Sequence, residues 1–105
     1  MTGQSGDLHI LLSERLVLIQ AIATANSEHL RLNQIAGGMM ILDQKDALDG
    51  VEEGAEEGPE QDRRNQARDA NDTAIDQCRD RIAALEAQLA DLDRKLAKAT
   101  EDHSK

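Results

Sequence analysis

Few residues of this chain have side chains suited to chemistry, and they are scattered. One cysteine, Cys78, lies between Ile75 and Ile82 at helical spacing, with no histidine near it in the sequence. A nucleophilic cysteine needs an adjacent base or positive charge to hold it as thiolate. Cys78 is therefore expected to act as a small buried apolar residue. His9, His29 and His103 have no cysteine or carboxylate at metal-ligand spacing, so no metal site is expected. The sequence carries no P-loop, dinucleotide fingerprint, nucleophile elbow or zinc-protease motif. The expectation is a protein without cofactor that is not an enzyme.

Charge is more concentrated. Between Asp43 and Asp62, nine acidic residues stand against Lys45 alone, a net of −8 in a chain whose formal net charge is −9. Within that run Glu52, Glu53, Glu56 and Glu57 form a candidate partner-binding acidic tip, able to dock on a basic surface. The plainer reading is a solubilising loop, because repeated like charges resist compaction. An EF-hand pattern of alternating oxygen ligands is absent, which argues against calcium. With no Trp, Tyr or Phe there is no platform for stacking unpaired bases. The acidic balance also lacks the clustered Lys and Arg that grip a phosphate backbone, so no direct nucleic-acid binding is expected. A single cysteine cannot build an internal disulfide framework, which favours a reducing, cytoplasmic setting. Ile10–Ala25 is apolar, but no Lys or Arg precedes it and Glu14 and Arg15 interrupt it. It reads as a buried helix of a soluble protein, with no membrane role.

Residues on either side of the middle segment are rich in Ala, Leu, Gln, Glu, Arg and Lys, without sustained two-residue alternation, and this predicts helices. A flexible N-terminus over 1–6 precedes an apolar helix over 7–49, with Asp7 suited to cap it. Its broad apolar set includes Leu12, Leu16, Ile19, Ile22 and Leu30. Gly37-Gly38 are expected to kink or end that helix. An acidic Gly-rich loop follows over 50–59, then a second helix over 60–100 and a flexible C-terminus over 101–105. Pro59 suits a first helical turn, and Glu60 and Asp62 suit the positive N-terminal end. From Ile75 the pattern sharpens. Ile75, Cys78, Ile82, Leu85, Leu89, Leu92, Leu96 and Ala99 follow alternating spacings of three and four, a heptad seam.

Two helical stretches of similar length joined by a turn-rich segment predict an all-α fold, an antiparallel helical hairpin with a coiled-coil C-terminal helix. A turn near residue 55 places position i opposite roughly 110 minus i, matching apolar with apolar and basic with acidic. Leu92 then lies near Leu18 and Cys78 near Leu32, while Arg68 and Arg64 fall near Leu42 and Asp46, with Asp43 and Asp49 within reach. The first helix offers more apolar surface than one narrow seam covers, so two hairpins are expected to pair as a dimeric four-helix bundle. Leu12, Leu16, Ile19, Ile22 and Leu30, with the seam residues from Ile75 to Leu96, are the candidate interface. Asn26 and Asn33, seven apart, are either a solvated face or a polar pair that fixes register.

Asp69-Ala-Asn-Asp72-Thr-Ala74 is similar to the Asp-x-x-Asp-x-Ala tip motif of one group of secondary-channel factors of bacterial RNA polymerase, which are coiled-coil hairpins with acidic tips. The likeness covers these six residues, which lie well past the apparent turn. The zinc-binding cysteines and globular domain of that group have no counterpart here, and no functional residue is carried over.

The function expected is a non-enzymatic helical interaction or assembly protein: an adaptor, a scaffold subunit or a secretion-type chaperone, as a homodimer or with another helical protein. The alternative is a small acidic inhibitor or regulator, such as a phage encodes, that uses residues 43–62 to occupy a basic nucleic-acid-binding surface.

Overall fold

A computed structural model describes residues 2–50 and 59–104 of the chain and, of their side chains, those of 7–45, 47–48 and 59–102. Two helices account for all of it: α1 over Thr2–Gly50 and α2 over Pro59–Ser104. α1 begins five residues before Asp7 and passes through Gly3 and Gly6. Once a helix has nucleated, each added residue gains one hydrogen bond, so extension tolerates a poor helix former. α1 also continues unbroken through Gly37-Gly38. A Cβ added at Gly37 would meet nothing within 4 Å. Gly37→Ala is therefore expected to raise stability by about 0.8–1 kcal/mol, read as a higher melting midpoint in circular dichroism.

The chain divides into two compact units, residues 1–26 with 80–105 and residues 27–79. In the first, Arg15 Nε donates to Asp93 Oδ1 at 2.8 Å. Asp7, Ile10 and Leu11 of α1 share a shallow cleft with Lys95, Lys98, Ala99 and Asp102 of α2. Position numbers rise along α1 as they fall along α2, so the helices of this unit run antiparallel. Among its described residues Ala25 and Leu92 are buried, Leu92 being only 4% exposed.

The second unit is also antiparallel. Asn71 Nδ2 donates to the Leu32 carbonyl at 3.1 Å, and Arg68 pairs with Asp43. Leu32, Ile75 and Cys78 are buried. In both ion pairs the partner lies within one helical turn of the residue that the expected hairpin register places opposite, whereas Leu32 is bonded by Asn71, about two turns from the Cys78 expected there.

The side chains that α2 turns inward extend the spacing read from its sequence. Ile75, Cys78 and Leu92 are buried, and Ile82, Leu85, Leu89, Leu96 and Ala99 are half-buried. The same three-and-four spacing continues back from Ile75 through buried Asn71 to half-buried Arg68 and Arg64. The first turns of α2, polar in sequence, thus send polar side chains into the contact instead of staying exposed all round. α1 answers with a row of its own. Leu8, Leu11, Arg15, Leu18 and Ile22 are half-buried and Ala25 is buried, followed by His29, Leu32, Ala36, Met39 and Asp43 at the same spacing.

Arg15 and Asp93 keep 40% and 46% of their side-chain surface exposed. Solvent screens such a pair, so a double-mutant cycle with Arg15→Ala and Asp93→Ala is expected to give a coupling of about 0.2–1 kcal/mol. A coupling indistinguishable from zero would show that the contact contributes nothing to stability.

Candidate functional site

The candidate site is a surface and not a pocket. In the first unit Leu12, Leu16 and Ile19 are 51%, 56% and 38% exposed. They stand one residue after Leu11, Arg15 and Leu18 of the inward row, on the flank of α1 beside the α2 contact. Ile10 and Val17, 54% and 63% exposed, occupy the other flank of the same stretch. In the second unit Leu30, Met40, Ile41, Leu42 and Leu48 are all at least 60% exposed. Single exposed apolar residues are ordinary, but repeated large ones on one element mark a docking surface.

Four of the five α1 interface candidates, Leu12, Leu16, Ile19 and Leu30, are therefore on uncovered surface, whereas Ile22 is half-buried against α2. The α2 candidates from Ile75 to Leu96 all point into the contact with α1. Glu52, Glu53, Glu56 and Glu57 lie outside the described residues. At the edge of that acidic run, Asp43 is half-buried and already paired with Arg68.

Polar side chains on the surface are held locally. Arg31 Nε donates to Glu28 Oε1 at 2.7 Å. That hydrogen bond and the Glu28 charge raise the guanidinium above its ordinary value. Asn33 Nδ2 donates to the His29 carbonyl at 2.9 Å and lies 3.2 Å from the ring Nδ1. Asp91 pairs with Arg94 one turn on. Asp69 and Asp72 are exposed, with Asn71 between them buried.

Among the described residues, no three His, Cys, Asp or Glu side chains gather closely enough to hold a metal ion. Cys78 is a buried thiol outside any disulfide. In the second unit, Met39, Leu42, Asp43, Arg64, Ala67 and Arg68 line an open cleft of about 260 Å³. Two of its lining residues, Asp43 and Arg68, are paired with each other.

By length and composition, α1 over Asp7–Lys45 is also apolar enough to cross a membrane, and little of its most apolar stretch is buried. A helix with one covered and several uncovered apolar rows meets that description as well as a spanning segment does.

Comparison with protein-family models, curated proteins and solved structures found no match.

Proposed function

We propose that this chain is a non-enzymatic assembly protein, a helical hairpin that uses uncovered apolar surface on α1 to bind other helices, with a second copy of itself as the first partner. The observation that carries this reading is the exposure of Leu12, Leu16 and Val17, each more than half exposed on a helix whose inward row is already occupied by α2. Leaving such rows in water forgoes about 25 cal/mol for each Å² of apolar surface. Covering them with another α1 yields a helix bundle, the dimeric four-helix form being the simplest closed arrangement. The α2 seam then acts as a coiled-coil closure within each chain.

Sedimentation equilibrium of the full chain at micromolar concentration is expected to give twice the chain mass. A stable monomer would overturn self-association. Flotation with phosphatidylcholine vesicles separates the remaining reading of the apolar surface: the protein is expected to stay in the aqueous fraction, and co-flotation would replace a protein partner with a lipid one.

A further inference from the structure

The first unit has two faces beside its α1–α2 contact, and they differ in what α2 brings to them. Residues one place before the inward rows share one face: Ile10, Glu14 and Val17 line a cleft with Gln88, and Ile10 lines another with Lys95 and Lys98. In an antiparallel pair, residues one place after the inward rows then share the opposite face. On α1 these are His9, Leu12, Leu16, Ile19, Ala23 and Asn26, all exposed. On α2 they are Ala83, Glu86, Ala90, Asp93, Ala97 and Thr100, of which only Asp93, held by Arg15, is half-buried. Where one face carries Gln88, Asp91, Lys95 and Lys98, the other carries alanines beside a row of Leu and Ile, and small side chains let another helix approach closely.

Reversed about the midpoint of Leu16 and Ile19, this α1 row falls on itself with every member matched. Leu16 meets Ile19, Leu12 meets Ala23, and polar His9 meets polar Asn26 at both ends. The α1 row of the other face, reversed alike, sets Glu14 on Val17. Reversed about the midpoint of Ala90 and Asp93, the α2 row sets Ala90 on Asp93, Glu86 on Ala97 and Ala83 on Thr100, so no carboxylate meets another. Because Arg15 bonds Asp93, the two midpoints lie within one helical turn of the same level, and a single two-fold axis serves both rows.

We infer that two copies pair face to face through the first unit about that axis, each α1 antiparallel to the other α1 and each α2 antiparallel to the other α2. The inference rests on the self-association proposed above and adds its face and direction. Charge selects this arrangement. Glu86 lies opposite Ala97 of the second copy and so one turn from Arg94 of that copy, a contact made twice. Arg94, paired with Asp91 in its own chain, keeps 72% of its side-chain surface exposed and is within reach. The other two-fold arrangement, α1 on the second copy's α2, would press Leu16 and Ala23 onto Asp93 and Glu86, and burying carboxylates against apolar side chains is costly. The area suffices as well. From His9 to Asn26 the row rises about 26 Å, and two helices side by side are about 20 Å wide, so the pair covers about 1,000 Å² in all, the level a specific interface needs.

The test is sedimentation equilibrium of the full chain at low salt. Leu16→Lys should give monomer, while Val17→Lys on the opposite face leaves the dimer intact. Glu86→Arg alone and Arg94→Glu alone should each weaken dimerisation about threefold to tenfold, because a like-charge contact then occurs twice per dimer. The double variant Glu86→Arg/Arg94→Glu should recover the wild-type dissociation constant. A wild-type dimer that survives Leu16→Lys, that Val17→Lys dissociates, or that ignores both single charge changes overturns this face and direction and leaves self-association standing. A monomeric wild-type chain overturns both. All four positions are exposed, and far-UV circular dichroism checks that each variant stays helical.

Discussion

Leu92→Ala is expected to remove about 2–5 kcal/mol of folding stability. Leu92 is 4% exposed and is the most enclosed apolar side chain among the described residues. The core of the first unit is built between α1 and α2, and Ala25 is the one other buried residue among its described residues. Truncation forfeits the transfer free energy of the lost carbons and leaves a cavity beside them. Two helices close over a void more easily than a layered domain does, which places the effect in the lower half of that range. Since small domains have only about 5–15 kcal/mol in total, the loss is severe. Urea denaturation followed by far-UV circular dichroism, at fixed protein concentration, measures it. An unchanged midpoint would mean that Leu92 is not packed.

Asn71 gives the second large effect, and its sign depends on the replacement. Its amide donates to the Leu32 carbonyl from a site only 8% exposed. Asn71→Ala loses that bond and leaves space, a cost of about 1–2 kcal/mol. Asn71→Leu also loses it, but a carbonyl inside a helix already accepts from the amide four residues on. No acceptor is orphaned, and the larger apolar side chain gains about 1–2 kcal/mol of burial. The stabilised Leu variant should pay in specificity, since a polar residue at a seam position fixes register. Opposite shifts of the denaturation midpoint are the expected result. If both variants fell by the same amount, the amide would matter for its shape and not for its polarity.

The sequence made some of this legible and hid the rest for identifiable reasons. α2 is readable from Ile75 onward because its apolar residues form a single row on an otherwise charged helix, and one row permits one inward face. The pairing of Arg68 with Asp43 was legible from hairpin register alone. α1 resists the same reading. Leu11 and Leu12, Leu16 and Val17, and Leu18 and Ile19 are adjacent apolar residues, so periodicity fits several rows equally well. Which row meets α2 is decided by side chains that no apolar pattern selects: Arg15 and Asp43 on α1, Asn71 and Arg68 on α2. The exposure of Leu12, Leu16 and Leu30 follows from the same ambiguity, since a helix apolar on three sides cannot cover them all against one neighbour. A search for polar residues continuing the heptad spacing back from Ile75 would have found Asn71.

Cys78 is the only thiol in a chain without Trp, Tyr or Phe, and it is 8% exposed. A near-ultraviolet spectrum is therefore almost silent, but a thiol-reactive dye has a single target that becomes accessible when α1 and α2 part around it. When closing is fast relative to reaction, the observed labelling rate is the rate for an unhindered thiol multiplied by the fraction of time spent open. The buried sulfur thus acts as a clock for breathing of the second unit. Its ticking should slow as self-association holds α1 in place, so one labelling curve taken across protein concentrations would report both events.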